Sequence, residues 1–155
     1  MSRPRILTVL ALSLGMLVVS CARPSSDECY LKASARDETG AYSFTLSMDD
    51  DQYDYDVDLF LSLSIGKRKP VSFSEAVHAL WISPAGARFE EDIELGYPDE
   101  LQEDFFTKNL LYHYRESLEP VEYGDWTLQL SFPDDFENEY NANGVGIRLI
   151  RNGSR

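Results

Sequence analysis

Residues 53–65 alternate without a break. Tyr53, Tyr55, Val57, Leu59, Leu61, Leu63 and Ile65 take the odd positions, and Asp54, Asp56, Asp58, Phe60, Ser62 and Ser64 take the even ones. A period of two sustained this long places one face of a β-strand on a core, whereas a helix would scatter the same residues around its circumference. At ~3.3 Å per residue such a strand would reach about 43 Å, so a bend or bulge is expected. Tyr42, Phe44, Leu46 and Met48 alternate in the same way with Ser43, Thr45 and Ser47. Asp49-Asp50-Asp51 then predicts a turn joining two antiparallel strands.

Further runs follow: residues 76–82; Phe89, Glu91, Ile93 and Leu95, with one acidic member; residues 109–115, with Leu110, Tyr112 and Tyr114 on one face; Trp126, Leu128, Leu130 and Phe132; and Val145, Ile147 and Leu149. Between them, Gly66-Lys67-Arg68-Lys69-Pro70 reads as an exposed basic loop, Ser83-Pro84-Ala85-Gly86 as a turn, and residues 98–108 as a short turn of helix. About eight strands with one alternating face each predict an all-β protein, an antiparallel β-sandwich. A small closed β-barrel is the alternative, because alternation does not distinguish closure from two facing sheets.

The first residues follow another pattern. Arg3 and Arg5 precede an apolar run over residues 6–19, interrupted by Thr8, Ser13 and Gly15. These fourteen residues fall short of the roughly 20 needed to span a bilayer, and the layout is that of a signal peptide. Val18-Val19-Ser20-Cys21 resembles the bacterial lipobox, in which Cys21 becomes the lipidated first residue. Two or three acyl chains, at about 0.8 kcal/mol per buried CH2, anchor a protein durably where one does not. The expected organisation is a lipoprotein signal peptide at 1–20, a lipidated N-terminus and tether at 21–29, and a single β-sandwich domain at 30–155. The other cysteine, Cys29, is then left without an intramolecular partner and reads as a small half-buried residue near the first strand.

Composition narrows the possible partners. The chain has 155 residues, 14 basic against 27 acidic. Loss of Arg3 and Arg5 with residues 1–20 leaves 12 against 27, a net charge of −15 carried by the exported part. That charge argues against nucleic acid, whose binders need a basic face, and holds a tethered domain away from anionic headgroups. Catalytic chemistry has little to work with. His78 and His113 are the only histidines, each in an expected strand with no nucleophile motif near it, and both read as structural or surface residues. No zinc ligand set or nucleotide-binding glycine pattern is present. Asp54, Asp56 and Asp58, spaced ~6.6 Å along one strand face, read as solvated. Glu139-Tyr140-Asn141-Ala142-Asn143-Gly144 copies the opening of a calcium loop, but Ile150 stands where the bidentate glutamate belongs, so a turn with Asn143-Gly144 at its tip is expected. No catalytic, cofactor-binding or metal residue is therefore assigned, and Cys21 is the one modification site.

The chain also resembles the H-type gliding-motility lipoproteins of the Bacteroidota. The likeness rests on the lipobox at Cys21, on Pro70-Val71-Ser72-Phe73-Ser74-Glu75 leading to Leu80-Trp81-Ile82 and Pro84-Ala85-Gly86, on Gly124-Asp125-Trp126-Thr127-Leu128, and on the closing Asn143-Gly144-Val145-Gly146-Ile147-Arg148-Leu149-Ile150. Residues 96–109 stand in place of that family's Trp- and Gly-rich segment. The resemblance implies a non-enzymatic accessory of the cell envelope. The expectation is a palmitate-bearing outer-membrane lipoprotein, facing the periplasm or the surface, that binds another envelope protein of the gliding machinery or its secretion system. A surface glycan-binding module is the second reading, and it needs at least two of Trp81, Tyr97, Tyr123 and Tyr140 on one exposed platform. Trp126 is expected in the core, and Tyr112 and Tyr114, which share a face, are expected to be buried too.

Overall fold

A computed structural model describes residues 25–65 and 73–153. The apolar run at 6–19, the lipobox, Cys21, the basic loop at 66–70 and Val71-Ser72 lie outside the described residues. Among the described residues, nine strands run in the order β1 (Ser26–Lys32), β2 (Ala41–Met48), β3 (Asp54–Ser64), β4 (Phe73–Ile82), β5 (Arg88–Gly96), β6 (Glu100–Glu103), β7 (Thr107–Leu118), β8 (Gly124–Ser131) and β9 (Ala142–Asn152). A 3-10 turn (Ala33–Ala35) follows β1, and a short helix, α1 (Phe136–Tyr140), precedes β9. The strands form two antiparallel sheets, β1-β9-β3-β7-β6 and β2-β8-β4-β5. The protein is an all-β sandwich and not a closed barrel.

Alternation becomes burial as expected. Tyr55, Val57, Leu59 and Leu61 of β3 are fully buried, the neighbouring β9 adds Ile147, and the facing sheet adds Tyr42, Phe44, Leu128 and Leu130. At roughly 1.5–3 kcal/mol for each large side chain taken out of water, this layer is the main stabilising term. Trp126 and Tyr112 are buried with it. β3 lies between β7 and β9, and its length is absorbed by register shifts near Tyr55, Val57 and Asp58 and again between Ser62 and Leu63.

Several expectations are corrected. Asp49-Asp50-Asp51 does not close a hairpin, because β2 and β3 belong to different sheets. The segment is an arch, pinned where the Asp50 N–H donates to the Tyr55 hydroxyl and that hydroxyl donates to the Asp50 carbonyl, each at 3.1 Å. Residues 98–108 hold β6 and a hairpin to β7 in place of a helical turn. Asp104 enforces the reversal by accepting the backbone N–H of Phe106 and of Thr107, both at 2.7 Å. Asn143 and Gly144 lie inside β9 and not at a turn tip. The chain reverses earlier, at Asn141, which caps α1 in the left-handed region at φ 52°. Strand β1 begins at Ser26, inside the segment expected as tether, and Cys29 within it is exposed where half-burial was expected. Asp58 is buried, not solvated, and accepts from His113 Nδ1 at 2.8 Å.

The two ends of the sandwich differ. At one, α1 lays Phe136 against Phe132 and Tyr140 against Phe73, with ring centroids 4.4 Å and 4.5 Å apart. Five residues are too few for a stable helix alone. Here Glu137 holds it down by accepting the Tyr42 hydroxyl at 2.7 Å and pairing with Arg36 at 2.7 Å.

Candidate functional site

At the other end the sheets part. The inward phase of β4 (Val77, Ala79, Trp81) brings Trp81 to this end, and the register of β5 on β4 sets Phe89 opposite it. Trp126 enters from β8, its ring 6.3 Å from that of Trp81 and 6.1 Å from that of Phe89. Beyond Tyr114 the chain of β7 arches across this end. Ser117 turns it at φ 50°, and Asp56 accepts the Ser117 N–H at 2.7 Å. Glu122 fastens the far side, accepting the Trp126 indole N–H at its carbonyl (2.9 Å) and the Ala85 N–H at its carboxylate (3.1 Å). The result is a cleft of about 510 Å3 with Met48, Trp81, Phe89 and Trp126 on one side and Leu118, Pro120 and Val121 on the other. Val121 is 77% exposed and Phe89 48%, so apolar surface continues onto the rim.

One wall of the cleft is ionic. Glu91 occupies an inward position of β5, where the Tyr114 hydroxyl and the Arg115 guanidinium both donate to its carboxylate. The Trp81 indole N–H donates to the Tyr114 hydroxyl at 2.7 Å and to Glu91 at 3.3 Å. Burial pushes the Glu91 carboxyl upward, but the donors from Tyr114 and Arg115 outweigh it and hold the group below its ordinary range. Tyr114 is raised above the ordinary phenol range, first by burial and then by donating to Glu91. Neither group changes protonation near neutral pH, so this network fixes a shape and a charge and moves no proton. An inward carboxylate on edge strand β5 also discourages pairing with another sheet. A concave, largely apolar hollow with a few convergent polar groups is the form of a binding site.

The residues singled out from the sequence do not converge there. His78 and His113 lie on opposite outer faces, His78 3.0 Å from Asp92 and His113 on Asp58. The Asp58 hydrogen bond raises the His113 pKa above its ordinary value. Among the described residues no group of three or more His, Cys, Asp or Glu side chains is placed to hold a metal ion. Trp81 is buried in the cleft wall, Tyr140 packs from α1 onto Phe73, and Tyr97 (81% exposed) and Tyr123 sit near opposite ends of β5, so these four form no shared platform. Sequence reading missed the Glu91 and Arg115 pair. Its signal was present, since Glu91 is an acid in the apolar phase of β5. It also missed Phe105 and Phe106, both strongly exposed at the tip of the hairpin joining β6 and β7. No known protein family and no curated protein matches this chain.

Proposed function

We propose that this is a lipid-anchored envelope protein whose sandwich binds an apolar segment of another envelope protein in the cleft, without catalysing a reaction. The observation that carries the reading is the cleft itself: three large aromatics, an exposed apolar rim and a fixed Glu91 and Arg115 pair, the kind of centre in which partner side chains become anchors. Its position adds support. β1 starts beside the end of β9 and the start of β3, and Tyr55 of β3 pairs with Leu118 of the cleft wall. The chain therefore leaves the domain toward Cys21 at the same end as the cleft. Four residues separate Cys21 from Ser26, and the five peptide steps reach at most ~17 Å, so a lipid anchor at Cys21 would point the cleft at the membrane. The favoured partner is a protein with an apolar segment close to the lipid surface. The resemblance to the H-type family names the gliding machinery and its secretion system as the first assemblies to search.

Two measurements test this. Wild type should incorporate labelled palmitate and fractionate with the outer membrane, whereas Cys21→Ser should do neither; a labelled, membrane-bound Cys21→Ser would overturn the anchor. A photo-reactive residue placed at Val121 in the intact cell should give one reproducible protein adduct, absent in Glu91→Ala. Adducts only from Phe105, at the opposite end, or equal yields from both positions, would overturn the cleft as the binding surface.

A further inference from the structure

The outer face of the five-stranded sheet carries a second site, built from different residues. One cross-strand row runs Tyr30, Gly146, Phe60, Leu111, Glu100 through all five strands. Gly146 leaves its own position in that row bare, and the Phe60 ring fills it: a Cβ at Gly146 would lie 1.9 Å from Phe60 Cζ. Tyr30 leans over the next gap, where a Cβ at Gly144 would lie 2.6 Å from its hydroxyl. The two rings are thereby laid down on β9, 11° from parallel with centroids 6.0 Å apart, and Tyr30 is 41% exposed. They form the floor of a groove of about 500 Å3.

The rows on either side are polar. On one side Glu28, Arg148, Asp58 and His113 stand in register, with Arg148 held by Glu28 at 3.2 Å. On the other, Ser62, Asn109 and Gln102 stand in register. Among the described residues none of these last three side chains makes a hydrogen bond. Covering the bare backbone of β9 accounts for the flat rings. It does not account for a hydroxyl and two amides waiting beside them.

We propose that this groove binds a neutral oligosaccharide. Flat aromatic faces take the C–H faces of sugar rings, and the adjacent hydroxyl, amides and carboxylates supply donors and acceptors for sugar hydroxyls. Charge decides the class. Arg148 is already paired, Glu28 and Glu100 line the groove, and the chain carries 27 acidic against 14 basic residues, so an anionic sugar is repelled. A partner protein is less suited, because Glu28, Gln102, Asn109 and Arg148 line the groove where a protein interface is depleted of charged groups.

The test is calorimetric titration of the intact protein with cellohexaose, laminarihexaose and mannohexaose, using polygalacturonate as the anionic control. At least one neutral hexasaccharide should bind. Tyr30→Ala should weaken it about tenfold, as for one truncated anchoring ring, and the double change Asn109→Ala with Gln102→Ala should weaken it comparably while leaving the unfolding midpoint in place. Val121→Lys, in the cleft, should leave sugar binding unchanged, which separates this proposal from the protein-binding one. The proposal fails if none of the three neutral probes binds at millimolar concentration, if Tyr30→Ala binds as well as wild type, or if polygalacturonate binds better.

Discussion

Both ends of the sandwich are lined with aromatic rings, and they are finished in opposite ways. At the α1 end Phe73, Phe132, Phe136 and Tyr140 pack ring on ring, and the hollow left among them is only about 10 Å3. At the other end Trp81, Phe89 and Trp126 stand about 6 Å apart at their centroids, and about 510 Å3 lies open above them. The hydrophobic driving force is the same in both places, so apolar content alone does not decide whether an end closes. What differs is the covering segment. At the closed end a helix lowers a phenylalanine into the gap. At the open end the chain arches over on Ser117 and Glu122, with Pro120 turned in and Val121 turned out.

The comparison is broken most forcefully at the closed end. Phe136→Ala removes the plug from a fully packed site and should cost about 3–5 kcal/mol, read as a lower urea midpoint at unchanged slope. A loss below about 1 kcal/mol would mean that α1 is decoration and that the two ends are alike. Next in size is Glu91→Ala. It leaves the Tyr114 and Arg115 donors facing an empty acceptor position, at about 1–3 kcal/mol for the stranded groups. Thermal unfolding of Glu91→Ala beside Phe136→Ala measures how much of the open end's shape depends on polar contacts in place of packing.

How far the sequence announced these ends follows from what kind of contact makes them. β3, β8 and β9 were legible because each carries large apolar residues at every second position, and Trp126 fell on the correct face for that reason. β6 was not. All four of its residues are exposed, so no period marks it, and it exists because Asp104 turns the chain back onto β7. The arch at Asp50 was misread as a hairpin because two strands in facing sheets show the same alternation as two paired strands. In the cleft, Glu91 was visible as an acid out of phase, whereas the path over it was not. That path depends on Ser117 meeting Asp56 and Ala85 meeting Glu122, pairs 61 and 37 residues apart. Tyr30 and Phe60 were hidden in the same way, since only the register on β9 reveals that each lies over a glycine.

A smaller effect separates the ends by pH. Glu91 has its folded pKa below the ordinary carboxylate value, so its contribution is fully present above that value and is lost as pH falls through the folded pKa. Wild type should therefore lose stability relative to Glu91→Gln as pH is lowered from 6 toward 3, and the difference between the two should be flat from pH 6 to 8. A gap that widened above neutrality would reverse the assigned sign and remove Glu91 as an ionised group.

The smallest expected effect on stability is also the most direct probe of function. Val121 has most of its surface in water, so Val121→Lys buries no charge and vacates no core volume. Surface changes of this kind stay within about 0.5 kcal/mol, and the unfolding midpoint should not move. Binding should respond differently. A lysine on the rim places a solvated ammonium where an apolar partner segment would be desolvated. The crosslinked adduct, captured from a photo-reactive residue at Phe89 in the Val121→Lys background, should fall about tenfold or more, while the same substitution at Tyr97, equally exposed near the closed end, should leave it intact. If both lysine variants bound alike, the open end would be only an imperfectly packed copy of the closed one, and its volume would carry no function.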